Sequence, residues 1–188
     1  EDSEERPKRT DRSFQMATDQ GKTLIMAATM LYLYEQGYRN FLFFVDTNNI
    51  VEKTKDNFLN CASSKYLFAP QIVINGKNVE IRQVENFQGS SSNGINLCLT
   101  TIQGLHSALN SNKENALTIE DFSDQPVVMI SDEAHHMNSE TKKKRTKEEE
   151  NNKKSWEATE REIFNRDNGK LPNVLLDFTA TADLDDPN

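Results

Sequence analysis

The chain has 188 residues, 35% of them hydrophobic and 28% charged, with a formal net charge of −8. That length suits one well-buried domain and is too short for two comfortable ones. No apolar run approaches the ~20 residues needed to span a bilayer, and the acidic balance does not favour a general polyanion-binding surface, though it leaves room for a local basic track.

Residues 1–12 are charged, carry Pro7 and lack periodicity, so they read as a flexible tail ahead of a single domain over 13–188. The acidic opening Glu1-Asp2-Ser3-Glu4-Glu5 does not fit a secretory leader, and a cytoplasmic location is the default expectation. Phe14 to Ala17 is a candidate short strand. Thr23 to Tyr34 reads as a helix, because Leu24, Ala27, Ala28, Leu31 and Tyr34 keep helical spacing. Gly37 is placed to end it as a left-handed cap. Asn40 to Val45 is a continuous apolar run, the pattern of a parallel strand covered on both faces. Asn48 to Leu59 predicts a second helix. Ile72 to Ile74 and Val79 to Val84 flank Asn75-Gly76, a hairpin signal. After a Ser/Gly loop over Gln88 to Gly94, the pattern predicts a strand over Ile95 to Thr101, a short helix over Ile102 to Leu109, and strands over Pro126 to Ser131 and Val174 to Thr179. Strands alternating with helices imply right-handed crossovers and an α/β domain with a mostly parallel central sheet, to which the hairpin is an addition.

Residues 139–168 differ in composition and read as a charged helical or loop insertion. Lys142, Lys143, Lys144, Arg145 and Lys147 form either a solvated surface or a phosphate-contacting patch, and Trp156, Thr159, Ile163 and Phe164 offer an apolar stripe. Cys61 and Cys98 lack metal-ligand spacing and read as isolated thiols.

The stretch Met16-Ala17-Thr18-Asp19-Gln20-Gly21-Lys22-Thr23 lies between a strand and an apolar helix. A bound triphosphate needs backbone N–H groups, a helix N-terminus and a cation, and a glycine turn supplies the first two. The lysine reaches the β/γ phosphates and the hydroxyl coordinates magnesium. Gly21, Lys22 and Thr23 meet this need, although the strict phosphate-loop pattern asks for glycine where this chain has Met16. Asp132-Glu133 follows the strand-like run Val127-Val128-Met129-Ile130-Ser131. An aspartate ending a parallel strand can hold magnesium through water, and the adjacent glutamate can orient the attacking water. In open parallel sheets the ligand site lies at the carboxyl ends of the strands. Taken alone, the acidic pair would be a solvated turn. His135 and His136 do not have zinc-protease spacing and no cysteine is near; His135 suits a hydrogen bond across the site and His136 a structural place. Thr179-Ala180-Thr181 is a small polar strand end or a hydroxyl relay.

In this order and spacing, Gly21-Lys22-Thr23, Asp132-Glu133-Ala134-His135 and Thr179-Ala180-Thr181 resemble motifs I, II and III of superfamily 2 DEAD/DEAH-type helicases and translocases. Several flanking segments resemble one branch, the restriction (Res) subunit of type III restriction-modification enzymes. These are Phe43-Phe44-Val45-Asp46-Thr47-Asn48-Asn49-Ile50-Val51-Glu52-Lys53-Thr54, Thr100-Thr101-Ile102-Gln103, the double histidine, the Lys/Glu-rich run ending in Lys154-Ser155-Trp156-Glu157, and Asp177-Phe178-Thr179-Ala180-Thr181-Ala182-Asp183. The resemblance covers about residues 14–188. It implies the first domain of such an enzyme: a three-layer RecA-like, P-loop NTPase fold that uses ATP and Mg2+ to move on double-stranded DNA, coupled to cleavage in the full protein. It further implies a second RecA-like lobe in the native chain and a methyltransferase/specificity subunit as partner. Thr18, Gly21, Lys22 and Thr23 would bind the phosphates, with Thr23 and Asp132 holding magnesium. Asp132, Glu133 and His135 would form the catalytic group, Thr179 and Thr181 would couple hydrolysis to motion, and Thr101 and Gln103 would lie near the DNA backbone.

Two departures from the family pattern bear on activity. Asp19 stands where the family's motif I has glycine, and a carboxylate beside phosphate oxygens is repelled at short range, so weakened ATP affinity is expected. Nothing after residue 183 resembles a second motor lobe or a nuclease; in related phosphoryl-transfer systems an arginine finger supplies roughly 10³–10⁵ in rate, so the isolated chain is expected to be a poor ATPase. Two other readings stay open on the sequence: the lobe of a different superfamily 2 DNA or RNA helicase, and a catalytically silent nucleic-acid- or protein-binding scaffold.

Overall fold

The computed structural model describes residues 10–15, 21–109, 117–132, 158–159, 161–166 and 171–179. Along the chain run β1 (Thr10–Gln15), α1 (Lys22–Glu35), β2 (Asn40–Val45), α2 (Asn48–Phe58), β3 (Ile72–Ile74), β4 (Lys77–Val79), β5 (Ile81–Gln83), β6 (Ile95–Thr101), α3 (Ile102–Leu109), α4 (Asp121–Asp124), β7 (Val127–Asp132) and β8 (Val174–Thr179). Six strands form one sheet in the order β1-β8-β7-β2-β6-β5, and β3 and β4 form a separate two-stranded sheet. Every pairing in the large sheet is parallel and the hairpin pairing is antiparallel.

All six residues of β2 are buried, as an interior strand covered on both faces requires. Its side chains alternate between two cores, with Phe41, Phe43 and Val45 facing one way and Leu42 and Phe44 the other. The first core takes Met26, Ala27, Met30 and Tyr34 from α1 and Val51 and Phe58 from α2. The second takes Leu105 from α3 and Phe122 from α4. The result is the three-layer α/β architecture expected of a RecA-like domain, with helices on both faces of a parallel sheet.

The end of α1 follows its sequence signal. Gly37 has φ of 105°, and the N–H groups of Gly37 and Tyr38 close onto the carbonyls of Tyr34 and Leu33, the Schellman arrangement. Arg39 holds this corner. Its guanidinium lies 4.0 Å over the Tyr34 ring and donates to the carbonyls of Tyr34, Tyr38 and Ser92.

Three expectations need adjustment. First, β1 spans Thr10–Gln15, earlier than Phe14 to Ala17 and reaching into the stretch read as tail. Its register runs unbroken along β8 from Thr10↔Val174 to Gln15↔Thr179, so the backbone ladder forms this edge strand although Thr10, Asp11, Arg12 and Ser13 carry no apolar pattern. Second, Val79 to Val84 is not one hairpin arm. The arm ends at Val79, and Ile81–Gln83 joins the large sheet beside β6. The switch occurs at Glu80, whose carbonyl accepts the Ile95 N–H at 2.9 Å. A Cβ on Gly94 would stand 2.6 Å from that same carbonyl oxygen, so glycine permits the approach. Third, part of the 139–168 stretch belongs to the core. Residues 161–165 are helical, Ile163 is fully buried and Phe164 packs beside it. Lys142, Lys143, Lys144, Arg145 and Lys147, together with Trp156, lie outside the described residues.

Buried amides tie the strand starts together. Asn173 is fully buried; its Oδ1 accepts the Val127 N–H at 2.9 Å and its Nδ2 donates to the carbonyls of Ile163 and Phe122. Asn40 and Asn96, in register on β2 and β6, bond to each other, and Asn40 also donates to Gln125. These groups lie at the amino ends of the strands and leave the opposite rim to the candidate chemistry.

Candidate nucleotide-binding site

Three strand ends define the rim. β1, β8 and β7 are neighbours, and their registers place Gln15 opposite Thr179 and Asp132 opposite Phe178. Phe14 and Phe178 stack at 4.8 Å with their planes 9° apart. Phe14, Phe178 and Asp132 therefore form one row across three strands, one residue below the end of β8. This stack was not singled out in the sequence, where nothing in the local pattern of either phenylalanine names the other.

α1 begins at this rim. Gly21 precedes it with φ of 78°, a conformation glycine adopts freely and other residues resist. A Cβ there would touch nothing, so backbone conformation rather than space selects glycine. The Gly21 carbonyl accepts the N–H groups of Leu24 and Ile25 at 2.9 and 3.1 Å, which starts the helix. No side-chain cap and no acidic residue occupy its first turn, so the positive end of the helix dipole faces the rim without a local carboxylate on its own turn.

Lys22 Nζ stands 2.8 Å from Asp132 Oδ1, with the two side chains 13% and 14% exposed. The first residue of α1 and the last of β7 thus meet as a mostly buried ion pair. Thr23 follows on the same turn, half-buried. The donor set consists of an ammonium, a carboxylate, a hydroxyl and a helix amino end. A magnesium-bound polyphosphate is what such a set can hold, because the cationic parts meet phosphate and the carboxylate and hydroxyl meet the metal.

Thr101 also lies at this rim, in register with Val45 at the end of β2. Its Oγ1 accepts the Gly104 N–H at 3.0 Å, which caps α3. A Cβ on Gly104 would come within 2.7 Å of Thr100 Oγ1 and 3.1 Å of Thr101 Oγ1, so this turn is closely packed. Gln103 is exposed on the first turn of α3. The structure therefore brings Gly21, Lys22, Thr23, Asp132 and the backbone of Thr179 to one rim, with Thr101 and Gln103 two strands away. Thr18, Asp19, Glu133, His135, His136 and Thr181 lie outside the described residues.

The cysteines keep apart from this site. Cys61 is exposed and Cys98 buried. Burial first, then the nearby carboxylates of Glu85 and Asp121, push the Cys98 thiol up to about 12, so it stays protonated and unreactive. Among the described residues no cluster of three His, Cys, Asp or Glu side chains could hold a metal, and no helix is long and apolar enough to cross a membrane.

The family described as "Type III restriction enzyme, res subunit" matches residues 3–184. The chain belongs to this family. It is also similar to the probable type III restriction-modification enzyme HindVIP Res subunit of Haemophilus influenzae, with 42% identity over 182 residues, covering 89% of this chain and 35% of that protein. The chain thus spans about a third of the length of this curated relative. The resemblance carried by the flanking segments is met, and the reading as a lobe from another superfamily 2 branch is set aside. As a Res-family chain it carries a helicase-like motor domain. The family match begins at residue 3, inside the stretch read as tail.

Proposed function

We propose that this chain is the ATP-binding motor lobe of a type III restriction enzyme, using Mg2+ and ATP to drive movement on double-stranded DNA. The observation that carries this reading is the Lys22–Asp132 pair at the amino end of α1. An ammonium and a carboxylate are needed side by side where a metal-bound phosphate sits, and each neutralises the other until that ligand arrives.

Lys22 would bind the β/γ phosphates, supported by the N–H groups that open α1. Asp132 and the Thr23 hydroxyl would hold the metal. When bound, magnesium would supply charge neutralisation for the polyphosphate. Thr18 and Gly21 shape the loop around the phosphates. Glu133 orients the attacking water and accepts its proton, and His135 bonds across the site. Thr179, at the end of β8 beside Asp132's strand, works with Thr181 to pass the change at Asp132 to the rest of the motor. Thr101 and Gln103 contact the DNA backbone from the same rim. A second RecA-like lobe completes the hydrolytic site, and a methyltransferase/specificity subunit selects the DNA. The proposed compartment is the cytoplasm.

Calorimetric titration with Mg-ATP tests this reading. The parent chain is expected to bind weakly, because Asp19 stands where the family's motif I has glycine and a carboxylate is repelled by phosphate. Asp19→Gly should bind more tightly and Lys22→Ala should not bind. Binding in the parent that is indifferent to Lys22→Ala would show that the loop is misassigned. Absence of saturable binding in both the parent and Asp19→Gly would favour a silent scaffold.

A further inference from the structure

We propose that the slot between α1 and β3 is a docking site for an extended, basic-apolar strand of a separate partner protein. It lies on the outer side of α1, away from the rim, and does not depend on the nucleotide reading. Its cavity of about 640 Å³ is lined by Ala28, Tyr32 and Glu35 of α1 and by Ile72, Val73 and Ile74 of β3, among others. Tyr32 is 60% exposed and Val73 56%, a large apolar investment for a surface.

Two features select a strand as the occupant. Among the described residues β3 pairs with β4 alone, so one edge of β3 keeps unmatched backbone donors and acceptors. Such edges are usually guarded by charge. The other strand of the hairpin carries Lys77 and Asn78, both exposed, whereas β3 reads Ile-Val-Ile and runs along the cavity. A two-stranded sheet is marginal by itself, and a third strand adds stability. Main-chain pairing along an open edge, with pockets for alternate side chains, is a general mode of peptide capture.

A third feature selects the partner's chemistry. α1 is apolar nearly all round, with Ile25 and Tyr32 exposed opposite its buried face and Leu24 exposed beside it, and a helix of that kind is normally covered on both sides. Glu35 is the acidic group in the lining, none of the ion pairs among the described residues involves it, and the chain carries a net charge of −8. A strand alternating apolar residues with one lysine or arginine over Glu35 matches slot, edge and charge together.

The test is fluorescence anisotropy of the whole chain with a labelled heptapeptide, Val-Thr-Val-Lys-Val-Thr-Val, and its counterpart with Glu in place of Lys. Saturable binding of the lysine peptide is expected, with the glutamate peptide about ten-fold weaker, or ~1.4 kcal/mol. Val73→Lys should abolish binding, and Glu35→Lys should reverse the peptide preference. Both positions are exposed, so melting temperatures should hold; if Val73→Lys lowers its own, Tyr32→Ser carries the test. Absence of saturable binding, or binding indifferent to these substitutions, overturns the proposal. A concentration-dependent dimer in sedimentation that Val73→Lys removes also overturns it, because a second copy of the chain would then be the occupant.

Discussion

Lys22 Nζ and Asp132 Oδ1 lie 2.8 Å apart, joining the start of α1 to the end of β7. They are far apart in sequence and come together because β7 and β1 flank β8 and all three strands run the same way. At 13% and 14% exposure, each charge depends on the other for compensation.

A double-mutant cycle with Lys22→Met and Asp132→Asn measures that dependence. Contacting residues couple by about 0.5–3 kcal/mol, and the double variant should be less destabilised than the sum of the singles in urea unfolding. Strictly additive losses would mean that the two groups do not stabilise each other.

Thr101 has a separable structural role at the rim. Thr101→Ala should lose the cap on α3 and cost about 1 kcal/mol, while Thr101→Ser should keep it. Gln103→Ala, at an exposed position, should leave stability alone and weaken duplex-DNA binding. Unchanged DNA affinity across a salt series in Gln103→Ala would remove this residue from the proposed DNA contact.

Asn173→Ala should be among the most damaging substitutions away from the site. It strands the Val127 N–H and the Phe122 carbonyl and takes one of two donors from the Ile163 carbonyl, which keeps the Arg166 N–H, and a buried group left unpaired costs about 1–3 kcal/mol. Chemical denaturation reads the loss directly; a near-neutral variant would mean that water replaces the amide.

Cys98 sets an alkaline limit on stability. Burial raises it to about 12, above the thiol's ordinary value of 9.0, so between these values the unfolded chain has lost a proton that the folded chain keeps. Stability from this group is full below pH ~9 and falls as pH rises. Burial also raises Tyr38, which acts in the same direction above its ordinary range. Urea midpoints should therefore drop above pH ~9, and Cys98→Ala should flatten the early part of that drop. With the protein folded at pH 8, a thiol reagent should label Cys61 and spare Cys98; rapid labelling of both would contradict the buried thiol.

Much of the fold was legible because it rests on local chemistry. Phe41 to Val45 is apolar without a break, a run that suits a strand buried on both faces. Gly37 ended α1 where a left-handed residue was needed. The hairpin's second arm was misjudged because Val79 to Val84 continues a plausible strand pattern, and the break at Glu80 depends on Gly94, a neighbour only in space. The start of β1 was missed because an edge strand is held by its partner's backbone, which composition does not report. Ile163 looked like part of a surface stripe; its burial comes from packing against the second core.

By itself the sequence determined which local elements form: a glycine-lysine-threonine turn opening a helix, a strand-ending aspartate and a threonine-terminated strand, each specified by backbone preference and side-chain type. Tertiary structure alone decided that Lys22 and Asp132 touch, that Phe14 stacks on Phe178 beside them, and that one edge of β3 stands open next to an apolar helix. Strand order and register govern those relations, and they are set by packing across the whole sheet rather than by any local stretch of chain.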